Sequence, residues 1–429
     1  MSDTIIEHRL PSSQISSEAL TVVARLQRAG YKAYFVGGCV RDLLIERSPK
    51  DFDIATDARP EEVKSLFGPA CRLIGRRFRL AHVRVGQSLL EVATFRGRPD
   101  SQQVSEDESG FVVRANTFGN PEDDAHSRDF TMNGLFYDPL GQIIYDYVGG
   151  MQDIRDRKVR AIGPVGERLR EDPVRILRAI RLGTRLGFDF TAELREASAE
   201  HAKLVRNCSK PRVVEELFRI FETGYSAPSW ERMVEFDLAG WLIPQLDKHC
   251  RKHLASYVDW LAELDRLTLA HGPLPRATVF CFVAWPLAFE AVMKPEGPKH
   301  WDWGRTLQDC INTAAAEYAI PIRYRERLRA TLNIVGGQWF VPPLPAHRTR
   351  SPALPIALAI MRAQFRLGIG NEQGYEALCH RSLELGFPEA PFDPPEQDNR
   401  GRQGAGRSKK RDGRGRRRQR RRRVTATQM

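Results

Sequence analysis

A chain of 429 residues with 41% hydrophobic and 28% charged residues has room for two or three domains and a sizeable core. Its net charge of +12 sits in one segment: residues 400–423 hold 14 Lys and Arg against one acid, Asp412, a net +13 that leaves −1 for the rest. Seven cysteines without a CxxC pair argue for reduced thiols and against zinc, and the longest apolar run, 277–289, is broken by Pro286 and too short for a transmembrane helix.

The first residues, MSDTIIEHRLPSS, lack the basic and apolar regions of a secretory signal. Residues 17–29 have the period of an amphipathic helix closed by Gly30. An apolar strand, 33–36, then runs into Gly37-Gly38, a short helix follows, and a second strand carries Asp51 and Asp53. Pro60 opens another helix. Strands are predicted at 80–85 and 89–95 with a turn at 86–88, and residues 97–127 are polar and Gly/Pro/Asp-rich enough to predict a mobile loop. The sheet resumes near Phe136, with a late strand at 145–148, and ends at Gly149-Gly150. From Glu171 to about 385 the period is helical, and beyond Pro388 the near absence of large apolar residues predicts disorder. The fold class is α+β. Its predicted parts are a head with a mixed sheet (1–150), a helical neck (151–235), a helical body (236–388) and an Arg-rich tail (389–429).

Three constellations carry chemistry. Alternate residues of a strand share a face, so Asp51 and Asp53 project together, and two such carboxylates repel unless a cation, by its oxygen ligands Mg²⁺, lies between them. Gly37 and Gly38 before a helix let the backbone approach a phosphate. A third carboxylate is required if two metals are held, and two compete. Glu91 lies on a strand able to run beside Asp53, and Asp129 lies just before the sheet resumes. In EDPVRILR, Glu171, Asp172, Arg175 and Arg178 share one helix face by spacing; the plain alternative is an exposed helix with ion pairs. That face is suited to present acceptors and guanidinium donors to a base and its phosphates. His82 is expected to pack or hydrogen-bond, and the basic tail to hold polyanions with steep salt dependence and little sequence preference.

With these pieces in order, the chain resembles the class II nucleotidyltransferases of the polymerase-β type, the group of bacterial poly(A) polymerases and CCA-adding enzymes. The family's GGxVRD is matched by Gly37–Asp42, its DxD by Asp51 and Asp53, its RRDFTxN by 127–133, its late-strand motif by DYVGGMQDI, and its EDxxRxxR by Glu171, Asp172, Arg175 and Arg178. Ser127 stands where the family has the first arginine of RRD. The segment LIGRRFRLAHV and the Arg-rich tail are similar to the poly(A) polymerase branch.

The resemblance implies template-independent adenylyl transfer from ATP to RNA 3′ ends with two Mg²⁺ ions, in mRNA processing and RNA turnover in the bacterial cytoplasm. It implies Asp51, Asp53 and Asp129 as catalytic carboxylates and Gly37, Gly38, Arg41, Arg128, Asp172, Arg175 and Arg178 as nucleotide contacts. Geometry keeps Glu91 beside Asp51 and Asp53 as a metal ligand. The tail and helical body would bind RNA, and any protein partners in RNA decay are left unnamed. The alternatives are a CCA-adding tRNA nucleotidyltransferase with the same catalytic residues, and a non-catalytic RNA-binding protein with a decayed head.

Overall fold

The computed structural model describes residues 5–8, 10–75, 79–97, 104–106, 112–114, 118–293, 320–340, 351–369, 373–376 and 378–379. The described residues fall within one compact unit, Met1–Phe392, and the expected basic tail lies outside the described residues.

In chain order the head comprises β1 (Ile5–Glu7), α1 (Ser17–Arg28), β2 (Ala33–Val36), α2 (Gly38–Leu44), β3 (Asp53–Thr56), α3 (Pro60–Phe67), β4 (Cys71–Ile74), β5 (Leu80–Val85) and β6 (Ser88–Thr94). A small hairpin, β7 (Val104–Glu106) and β8 (Val112–Arg114), precedes α4 (Pro121–Ser127), β9 (Leu135–Asp138) and β10 (Ile143–Asp146). One eight-stranded sheet runs β1-β10-β9-β2-β3-β6-β5-β4 among the described residues. Its pairs are antiparallel except β3 with β6, which run parallel and set Asp53 opposite Glu91.

Local chemistry explains the elements that position the site. Ser16 caps α1 by accepting from the Ala19 N–H at 3.2 Å, and Val22, Val23 and Leu26 turn one face of that helix into the core. Phe35, Ile54, Leu90 and Val92 point to the same core from β2, β3 and β6. The other face of the sheet carries a smaller aromatic cluster of Tyr34, Phe95 and Phe136. By alternation, Asp53 and Glu91 lie on that second face.

The late-strand motif is a turn device. The Asp146 carboxylate accepts the N–H groups of Val148, Gly149, Gly150 and Met151, all within 3.2 Å. A Cβ on Gly150 would come within 2.2 Å of the Thr131 carbonyl oxygen, so this close packing admits only glycine.

The helical part contains α5 (Gly150–Arg155), β11 (Lys158–Val159), α6 (Val165–Glu171), α7 (Val174–Leu186), β12 (Asp189–Phe190) and α8 (Ala192–His201). Then come α9 (Lys210–Phe221), α10 (Ser226–Glu235), α11 (Leu238–Leu242), α12 (Pro244–Lys252), α13 (Leu254–His271) and α14 (Arg276–Met293), with later helices at Ile322–Phe340 and Leu354–Arg366. The apolar run at 277–289 falls within α14, where Cys281, Phe282 and Trp285 are buried.

Four expectations need correction. The helical part begins at Gly150 rather than at Glu171, and the two-stranded parallel pair β11–β12 interrupts it. The expected loop at 97–127 contains α4, which Asn120 caps through the Asp123 N–H and Pro121 opens; its other described residues are few. Asp51 precedes β3 rather than lying in it, although buried Phe52 between two exposed aspartates keeps the expected sidedness. EDPVRILR is not one helix. Glu171 ends α6, Asp172 has φ −145° and ψ 89°, and α7 starts after Pro173. Proline clashes with a helical residue before it, which forces the break at Asp172.

Candidate active site

A cleft of about 350 Å³ opens on the second face of the sheet. Gly37, Gly38, Asp53, Glu91, Asp129 and Arg178 all contribute to its wall. Its volume lies in the range of small-ligand sites.

The acidic wall comes from β3 and β6. Burial pushes the Asp53 carboxyl above its ordinary value; Glu91 and Asp51 push it the same way, and Arg128 partly offsets them. Two acids crowded in this manner suit a cation, and Asp51 stands at the entry to the strand, off the cleft wall. Among the described residues no three His, Cys, Asp or Glu side chains are gathered closely enough to ligate a metal as they stand. On the neighbouring strand His82 stands opposite Glu91, with Nε2 3.5 Å from Glu91 Oε1, a contact that is an ion pair only when the imidazole is protonated.

The floor is made by Gly37, which has φ 74°, a backbone region that side-chain-bearing residues rarely adopt. A Cβ there would lie 3.0 Å from Arg128 Nη1. Arg41, expected at the nucleotide, is only 3% exposed and spends its guanidinium within the protein. It donates from Nε and Nη2 to Asp42 Oδ1 and from Nη1 to Asn133 Oδ1 at 2.6 Å.

Arg128 donates to Asp124 Oδ2 at 2.9 Å and to the Asn133 carbonyl at 3.3 Å, and its guanidinium lies 5.1 Å from the Phe136 ring centroid. Sequence reasoning missed Asp124 and Asn133. Asn133 was visible only as the last letter of RDFTMN, and Asp124 was hidden in a segment read as loop.

The basic wall comes from the neck. Asp129 Oδ1 accepts from Arg175 Nε at 2.8 Å, and Asp129 Oδ2 lies 2.7 Å from Arg178 Nη1. Burial works to raise the Asp129 pKa, but Arg178 and Arg175 outweigh it and hold the carboxyl below its ordinary value. Arg175 is buried and also donates to Glu171 Oε2 at 3.1 Å; burial opposes its charge, but Asp129 outweighs that and its pKa is raised. Arg178 keeps 37% of its side chain exposed toward the cleft. Asp172 pairs with Arg212 of α9 at 2.7 Å. Of the expected site residues, Gly37, Gly38, Asp53, Glu91, Arg128, Asp129 and Arg178 meet at the cleft wall, whereas Arg41, Asp51, Asp172 and Arg175 do not line it.

Comparison with known proteins shows the family. Residues 33–160 match the model of the poly A polymerase head domain, and residues 187–250 that of a probable RNA and SrmB-binding site of polymerase A. Poly(A) polymerase I of Escherichia coli is 37% identical over 331 residues, 74% of this chain and 71% of that protein. The CCA-adding enzyme of Geobacillus stearothermophilus is 35% identical over 243 residues, 57% of this chain and 58% of that enzyme. Among solved structures, the Bacillus stearothermophilus CCA-adding enzyme in complex with CTP superposes with a TM-score of 0.63 at 25% identity, covering 86% of this chain and 82% of that one. The chain belongs to the family of class II nucleotidyltransferases that comprises the poly(A) polymerases and the CCA-adding enzymes.

Proposed function

We propose that this chain is a template-independent polynucleotide adenylyltransferase that extends RNA 3′ ends from ATP and releases pyrophosphate. The observation that carries the choice is the identity to poly(A) polymerase I, sustained over 74% of the chain, against 57% for the CCA-adding relative.

In the reaction the RNA 3′ oxygen forms a bond to the α-phosphorus of ATP, the bond from that phosphorus to the bridging oxygen of pyrophosphate breaks, and the hydroxyl proton is lost. Asp51, Asp53 and Glu91 would hold divalent metal. Bound there, it lowers the pKa of the attacking hydroxyl and offsets charge on the leaving oxygens. Gly37 and Gly38 bring backbone close to the triphosphate, and Arg128 and Arg178 offer guanidinium charge at the cleft. Asp129, with both oxygens against arginines, is assigned to anchoring Arg175 and Arg178 rather than to metal, which favours Glu91 as the third metal carboxylate. Arg41 is assigned to holding α2 against Asn133. Arg178, at the cleft wall, would contact adenine, with Arg175 set beside it through Asp129 and Asp172 held on Arg212. No described helix is long and apolar enough to cross a membrane. A bacterial cytoplasmic location, and RNA held by the tail and helical body, belong to the same proposal.

Primer extension with ATP or CTP offered separately tests the reading. Long A tracts on arbitrary RNA are expected; C followed by A on tRNA would instead establish the CCA-adding alternative. Absence of Mg²⁺-dependent turnover would revive the non-catalytic reading.

A further inference from the structure

Arg168 lies on α6, outside every motif that the sequence brings forward, and is 8% exposed. Its Nη2 donates to two successive main-chain carbonyls, those of Ser127 at 3.0 Å and Arg128 at 2.7 Å. Its Nη1 donates to Glu171 Oε2 at 2.9 Å, the oxygen that also receives Arg175 Nη1. The Arg168 carbonyl oxygen itself accepts from Arg175 Nη1. The next residue after the two clasped carbonyls is Asp129, which holds Arg175 and Arg178. A closed ring therefore runs from Arg168 through the 127–129 backbone to Asp129, on to Arg175, and back through Glu171. Its exposed outlet is Arg178, which faces the cleft.

We propose that Arg168 is a positioning residue for base selection, an inference that rests on the adenylyl-transfer reading above. The planar guanidinium fork spans two carbonyls and a carboxylate at once, a pattern that one ammonium cannot reproduce. By fixing the backbone that precedes Asp129, Arg168 fixes where Asp129 sets the two arginines. Those arginines hold one arrangement only while the ring is closed. At Ser127, where the family carries an arginine, the neck supplies a guanidinium to the main chain.

The test is steady-state incorporation of ATP and of CTP by the full chain carrying Arg168→Lys, with thermal unfolding in parallel. Two charge-assisted hydrogen bonds lost near the base-reading arginines predict a rise of about tenfold in KM for ATP and a fall of about tenfold in the ATP-to-CTP preference. The variant is expected to unfold at a lower temperature than the parent yet to stay folded at the assay temperature, with kcat changing less than KM. A parental KM and preference in a folded variant would overturn the proposal, as would a fall in kcat alone. If the lysine variant fails to fold, Glu171→Gln opens the ring from its other side, and an unchanged preference there overturns the proposal equally. The parent protein separates this inference from the function beneath it. A parent that adds no AMP refutes the function, while a parent that adds AMP and variants of unchanged preference refute only the role of Arg168.

Discussion

Asp129 Oδ2 lies 2.7 Å from Arg178 Nη1 while its other oxygen holds Arg175, so a carboxylate of the head is clasped by two arginines of one neck helix. Asp129→Asn should leave Arg178 without its anion and Arg175 with Glu171 alone, at a cost of about 3–5 kcal/mol. Chemical denaturation of parent and variant measures that cost, and the ATP-to-CTP preference should fall with it.

The pH dependence of that difference follows in sign. The folded pKa of Asp129 is below the unfolded value, near 3.8, so its stabilisation is fully present above that value and is lost as pH falls through the folded pKa. The stability gap between parent and Asp129→Asn should therefore be constant near neutral pH and shrink below about pH 4. A gap that widens on acidification would reverse the assignment.

Asp53 and Glu91 repel each other in the apo protein. Asp53→Asn should raise the thermal midpoint at neutral pH without metal, yet cut AMP incorporation by at least about a hundredfold. Added Mg²⁺ should stabilise the parent and not this variant. RNA binding by the double variant Asp51→Ala, Asp53→Ala is expected to survive; retained incorporation would refute the metal assignment.

Gly37→Ala places a methyl group 3.0 Å from Arg128 Nη1 at a left-handed φ of 74°. With ψ −129° this is the mirror of the extended region, which glycine alone adopts freely, and the backbone strain is about 1–3 kcal/mol. Because the same methyl group pushes Arg128 from its contacts with Asp124 and Asn133, kcat/KM for ATP should fall more than the stability loss accounts for.

Deleting residues 389–429 should weaken RNA binding at low salt and flatten its salt dependence, since up to 14 cations no longer displace counterions, while turnover on saturating RNA is kept. Filter binding over a salt series reads the slope directly.

The residues that were legible in the sequence obey short-range rules. The strands bearing Asp53 and Glu91 follow from alternation, and Gly37 from a glycine pair at a strand-to-helix turn. Where composition outvoted local caps, as with Asn120-Pro121 at the start of α4, a helix was read as loop. At Asp172-Pro173 the proline and the acids ahead of it mark a helix start, which α7 bears out, but the spacing of charges ran past that start and placed Glu171 and Asp172 on the same face. The commitments of Arg41 to Asn133 and of Arg175 to Asp129 join residues far apart in the chain, and a one-dimensional pattern carries no signal for them. Arg168 was missed for the same reason, because its partners are main-chain carbonyls about 40 residues upstream.

The parallel pairing of β3 with β6 has a consequence for how the protein is made. Glu91 follows Asp53 by 38 residues, and parallel strands meet only after a crossover, here through α3, β4 and β5. A nascent chain that has released Asp53 but not β6 carries the glycine pair and one half of the acidic wall, with nothing opposite. Long-range pairing of this kind forms late and slowly. On the proposed reading the acidic wall is complete only once β6 docks, and the basic wall opposite it only after α7 has followed about 80 residues later.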